Sequence, residues 1–181
     1  MQASIKLAAV LLSVAVLGGC ASGVTRMDTP SAGASPAATA TAPIERTVKS
    51  VNLSLSDDAK KLVGDNLKFN QETLRTTIER ALNGQNLVKA EASQVLDIEI
   101  TSFRTRSNFT AIMFGFMAGN DNVEGVVSVK DANGKVLKRA KVAASYALGG
   151  LAGGQDDARM SWLYEEFAKH TVAELAGAPA K

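Results

Sequence analysis

Asp97 and Glu99 stand two apart in an alternating segment, so a strand would aim both carboxylates at one face. Paired carboxylates act as acid and base only when a substrate lies between them and their pKa values are held apart. Here they lie side by side among Ser and Thr, which is the pattern of a solvated strand face. The single His, His170, falls three residues after Phe167 at the edge of an apolar stripe, where a packing role is expected. No Gly-x-Ser-x-Gly elbow accompanies it, and the sequence places no carboxylate to orient it. Asp57-Asp58 and Asp156-Asp157 suit helix N-termini, and Glu165-Glu166 suits a solvated helix face. Gly149–Gly154 precedes a helix as a phosphate loop would. It lacks the Gly-Lys-Ser/Thr ending and follows a meander strand, so a flexible connection is expected. The expectation is therefore a chain with no catalytic residue of its own.

Composition narrows the classes further. One Cys cannot form an intrachain disulfide, and one Cys with one His leaves no zinc cluster, so neither metal nor cofactor is expected. Twenty basic against 18 acidic residues gives no field of the kind that holds nucleic acid.

The lone Cys has a setting of its own. Lys6 precedes an apolar run, Leu7 to Leu17, that is shorter than the roughly 20 residues a spanning helix needs. Basic, apolar and then small residues make a secretory signal peptide over residues 1–19. Its end, Leu17-Gly18-Gly19-Cys20, resembles the lipobox of bacterial lipoproteins. The resemblance implies cleavage before Cys20 and acylation of that residue, including palmitate, which anchors the chain to a membrane. The other reading is an ordinary signal peptide that happens to contain a Cys, but the chain's only Cys sits where a lipobox needs it. Cleavage removes Lys6 alone, leaving 19 − 18 = +1. Ala21-Ser22 carries no Asp of the kind that retains lipoproteins at the inner membrane, so the outer membrane, facing the periplasm, is the expected destination.

One apolar segment has no periodic explanation. Phe109 to Gly119, FTAIMFGFMAG, packs three Phe and two Met into eleven residues. It is too short to span a bilayer. It either tucks under the sheet as extra core or forms an exposed patch for a partner or a bilayer, which monomers rarely tolerate without reason. Arg104 and Arg106 just before it could meet lipid head groups or an acidic partner. The candidate interaction surface is thus Arg104, Arg106, Phe109, Phe114 and Phe116.

These residues need elements to hold them. Residues 20–43, after the lipidated Cys, are Ala, Ser, Thr, Gly and Pro, with almost no large apolar residue. They are expected to be a flexible linker with a mean reach of about 25 Å. Residues 44–177 read as a βαβββα envelope domain. Val51, Leu53 and Leu55 alternate with polar residues, as do Leu96, Ile98 and Ile100. Ser56 caps a short turn, and Asn70 caps a helix that ends near Gly84, with Leu74, Ile78, Ala81 and Leu82 on one stripe. Strands over 123–130 and 135–146 flank Asn133-Gly134, a strong hairpin signal. A last helix from Asp156 carries Met160, Leu163, Tyr164, Phe167, Thr171 and Leu175 on one stripe. The expected fold is α+β in two layers: a mixed, mostly antiparallel sheet with two helices on one face. Its other face would carry Ser50, Asn52, Asp97, Glu99, Thr101, Arg139 and Lys141.

Lipobox, low-complexity linker, Thr101-Ser102-Phe103-Arg104, Gly115-Phe116-Met117-Ala118-Gly119 and the Asn133-Gly134 hairpin together resemble a family of bacterial lipoproteins grouped as domain of unknown function 4410. The resemblance covers about Val48 to Ala176. It implies an envelope domain that docks onto larger periplasmic machines and carries over no catalytic residue. The expected function is a membrane-anchored, non-catalytic binding module for a protein partner. A small-molecule or lipid carrier, with the apolar segment lining a cavity, is the first alternative. A hydrolase using Asp97, Glu99 or His170 is the second.

Overall fold

The structure is a computed structural model that describes residues 22–27, 44–107, 109, 113–114, 119–147 and 156–177. Cys20, Phe116 and the Gly149–Gly154 run lie outside the described residues. In chain order the elements are β1 (Gly23–Arg26), β2 (Ser50–Leu55), α1 (Asp57–Leu62), α2 (Gln71–Gly84), β3 (Val95–Arg104), β4 (Asp121–Lys130), β5 (Val136–Tyr146) and α3 (Asp156–Ala176). They form one α+β unit. The five-stranded sheet runs β1-β5-β4-β3-β2, and only the β2–β3 pair is parallel. A parallel pair needs a crossover, which α1 and α2 supply.

Alternation decides which side is covered. Leu96, Ile98 and Ile100 of β3, Val123, Val127 and Val129 of β4, and Ala140, Val142 and Ala144 of β5 are all buried. All but Ala140 meet Leu74, Ile78 and Leu82 of α2 and Leu163 and Phe167 of α3 in one core. Both helices present the stripes expected from their spacing. Asn70 Oδ1 accepts from the Thr73 N–H at 2.9 Å, as an N-cap should. Ser56 Oγ likewise accepts from the Ala59 N–H, but the capped segment is a helix, α1, rather than a turn. The helical layer thus has three members, because Ala59 also reaches the core. Phe69 stacks on Phe103 with centroids 3.9 Å apart and meets Tyr164 edge-on. Burial holds the Tyr164 phenol above its ordinary range, in the neutral form, while its oxygen accepts from the Asn70 N–H.

The expected β4–β5 hairpin forms, and one other local feature differs from expectation. The β4–β5 turn spans Asp131–Gly134, and only Gly134 takes positive φ, at 80°. Asp131 Oδ1 accepts from the N–H groups of Asn133 and Lys135, so a side chain organises the turn and the register shifts between Val129 and Lys130. The difference lies at the β1 edge of the sheet. Gly23–Arg26, read as flexible linker, pairs with Ala140–Ala143 of β5. Ser22 Oγ, two residues after Cys20 in the chain, accepts from the Ser145 N–H at 2.8 Å. A four-residue strand with one large apolar side chain has too little periodicity to stand out, and the β5 edge supplies its pairing.

A buried charge cluster closes one end of the sheet. Arg106, just past β3, gives its backbone N–H to Asp121 Oδ1 at 2.6 Å and its Nη2 to Asp121 Oδ2 at 3.0 Å. The same Nη2 also donates to the Tyr146 carbonyl, at the end of β5. Arg159 of α3 brings Nε within 3.3 Å of Asp121 Oδ2 and donates to the Arg106 carbonyl. The three side chains are at most 2% exposed. Arg106, expected at the surface, is therefore internal: it neutralises a carboxylate that β4 carries into the protein.

Two substitutions test these contacts through stability. Asp121→Ala leaves two buried guanidinium groups facing each other and should cost about 3–5 kcal/mol, read from urea unfolding. Gly125 faces Phe167 across the core, and an added Cβ would lie 3.0 Å from the Glu99 carbonyl and 3.2 Å from the Phe167 ring. Gly125→Ala should therefore cost about 1–3 kcal/mol by overpacking, visible as a lowered melting temperature.

Candidate functional site: the open sheet face and the Tyr146 end

The sheet face away from the helices gathers charge. Asn52 and Ser54 of β2 pair in register with Asp97 and Glu99 of β3, and Ser128 of β4 with Arg139 of β5. Asp97 Oδ2 accepts from Lys130 Nζ at 2.6 Å, and Lys141 Nζ lies 2.6 Å from Glu124 Oε2. Asp97 and Glu99 do share a face, as their spacing requires, and each salt bridge named on this face is a partly exposed pair. Interstrand pairs of this kind contribute a few tenths to about 1 kcal/mol each. They also make a polar, patterned surface.

His170 lies on the other side of the sheet, on α3, and is 6% exposed. One correction applies to it: Glu166, one helical turn earlier, brings Oε1 within 3.2 Å of His170 Nε2. The i, i+4 spacing carried that signal. Glu166 also accepts from Lys169. The sheet thus separates His170 from Asp97 and Glu99, and these residues do not converge on one centre.

Of the other candidate surface residues, Arg104 and Arg106 lie where the sheet ends near Tyr146. Arg104 is exposed, and its guanidinium covers Gly119, whose φ of 81° suits a residue without a side chain. Phe109, Met113 and Phe114 are 68%, 63% and 57% exposed, so these three are surface rather than extra core. Phe109 and Phe114 meet edge-on, with centroids 6.5 Å apart. A groove of about 420 Å³ runs between α2 and α3, lined by Thr77, Arg80, Ala81, Glu165, Lys169 and Val172. It holds none of the three exposed apolar residues that the carrier reading relied on.

Sequence reasoning missed Asp121 and Arg159. The available signals were a carboxylate opening an apolar alternating run and an Arg beside the Met160 stripe, and neither reveals its partner. Among the described residues no helix is long and apolar enough to cross a membrane.

No curated protein matches the chain. Among solved structures, a point variant of PelC from Paraburkholderia phytofirmans, crystallised as a dodecamer, is similar at 14% identity and a TM-score of 0.49; the match covers 87% of this chain and 99% of that one. A minor lipoprotein from Acinetobacter baumannii is similar at 11% identity and a TM-score of 0.36, over 71% of this chain and 93% of that one. The family match begins inside the Ala/Pro-rich stretch and stops before α3, earlier than the span to Ala176 expected from the residues. The chain belongs to the family described as a domain of unknown function, DUF4410, whose model matches residues 33–150.

Proposed function

We propose that this chain is a non-catalytic bacterial lipoprotein, held by lipid on Cys20 at the outer membrane, whose periplasmic domain binds a protein partner through its open sheet face. The observation that carries the reading is the docking of Ser22–Arg26 on β5 directly after Cys20. An anchor joined to the sheet through so few residues fixes how the domain stands on the bilayer. Two or more acyl chains supply a firm hold, since each buried CH₂ contributes about 0.8 kcal/mol. The open face, held at a set orientation, is a surface of paired charges that an incoming protein can match by register and sign. The lone Cys behind a signal-like segment and the Ala21-Ser22 pair support the envelope address.

Two measurements test this reading. Cys20→Ala should abolish palmitate incorporation, and replacing residues 1–20 with an ordinary cleavable secretory signal should yield soluble periplasmic protein. A wild-type chain that takes up no label refutes the anchor. For the partner, acylated Cys20 offers no free thiol, so Glu99→Cys and Lys141→Cys each carry a single cysteine-directed photocrosslinker. Both should capture the same envelope protein in cells, and Glu124→Lys should abolish capture without lowering the melting temperature. Capture that ignores position or charge overturns the open face as the contact surface.

A further inference from the structure

The end of the sheet that receives the anchor also collects exposed apolar side chains. β1 runs antiparallel to β5, with Gly23 opposite Ala143, so Ser22 sits at the Tyr146 end of β5. Ser22 is hydrogen-bonded to both backbone groups of Ser145, and Ser145 Oγ accepts from Asn120 Nδ2 at 3.0 Å. Asn120 ends the segment between β3 and β4. Arg106, near its start, is tied to Tyr146 by the bond to that residue's carbonyl. Covalent geometry holds Cys20 within about 7 Å of Ser22. Ser22, two residues from the Cys that would bear the lipid, thus lies at the foot of the segment that carries Phe109, Met113 and Phe114.

The same end holds more apolar surface. Asn66 Oδ1 accepts from the Thr105 N–H, which places its neighbour Leu67, 86% exposed, beside this segment. Trp162 packs on Tyr146 with centroids 4.9 Å apart and is still 40% exposed. Leu67, Phe109, Met113, Phe114 and Trp162 are five of the eight large apolar side chains exposed among the described residues. Met27 and Ile44 lie towards the opposite end, where Met27 donates to the Arg139 carbonyl and Glu45 to Gln94. Exposed apolar residues segregated to one end mark a surface that something covers. The anchor names the occupant, because acyl chains on Cys20 bring bilayer to this end and hold it there.

We infer that Phe109, Met113 and Phe114 form a membrane-inserted tip: they enter the leaflet that holds the Cys20 lipids, with Leu67 and Trp162 at the headgroup level. The inference rests on the acylation proposed above and extends it. The lipid is then one of two attachments, the second made by apolar side chains of the domain itself. With the tip inserted, the β2-to-β5 face stands on edge to the bilayer and the Asp131–Gly134 turn points away from it. The ten-residue strands put that turn about 30 Å from the tip.

The acylated full-length protein in phosphatidylethanolamine/phosphatidylglycerol vesicles tests this. Trp162 is the only Trp, so Trp162→Phe gives a dark background for Met113→Trp or Asn133→Trp. With doxyl-labelled lipid present, Trp at 113 should shift to shorter wavelength and lose most of its emission, while Trp at 133 should keep both. Adding Phe109→Ser and Phe114→Ser should restore emission at 113 without changing the melting temperature. Mass spectrometry of the reconstituted chain separates the two claims: an unacylated chain refutes the anchor, and an acylated chain unquenched at 113 refutes the tip alone. Equal quenching at both positions, or a photocrosslinker at 113 that captures an envelope protein in place of lipid, also overturns the tip.

Discussion

The contact among Arg106, Asp121 and Arg159 is the constraint on which one whole end of the molecule depends. Asp121 opens β4 and is fully buried, so its charge must be met inside the protein. Two guanidinium groups meet it, one from just past β3 and one from the first turns of α3, and the same Arg106 reaches the last carbonyl of β5. A carboxylate accepts such planar donors with fixed geometry, which hydrophobic packing does not supply. Strand ends that apolar contacts would leave free to fray are thereby held in one arrangement. The segment between β3 and β4 leaves from and returns to this fixed base, and α3 starts against it.

That base gives meaning to the short first strand. A chain entering along the β5 edge could in principle be a loose tether, and its composition suggests one. Pairing of Gly23–Arg26 with β5, with Ser22 locked to Ser145, makes it a bracket. Arg26 adds a contact to Glu174, which also meets Lys138 of β5, so the strand is tied to α3 as well as to its neighbour. The first strand is thereby held at both of its ends, where its composition alone would leave it loose.

Much of the fold was legible from periodicity. The alternation in 95–104 and the stripes from Leu74 and Met160 follow from the two spacings, 2 and 3.6, that a polar backbone permits, and Asn70 and Ser56 mark helix starts by side-chain chemistry alone. The candidate site was less legible. Phe109 and Phe114 stood out by composition, but their exposure is a property of what does not pack on them. Arg106 read as a surface cation because nothing in its neighbourhood names Asp121, fifteen residues away, as its partner. Glu166 and His170 are the converse: a pair visible at i, i+4 whose burial only packing fixes.

The sequence by itself determined the class of fold, the helical and strand faces, and the one Cys that can serve as an anchor, because each rests on local spacing or on the chemistry of a single residue. Tertiary structure alone decided that Gly23–Arg26 is a strand, that Arg106 is internal, and that Ser22 and the exposed apolar side chains share one end of the sheet. Each of those outcomes depends on a partner far along the chain: the free edge of β5, the carboxylate of Asp121, the backbone of Ser145. Local pattern carries no information about such partners, since only closure of the sheet brings them within hydrogen-bonding distance.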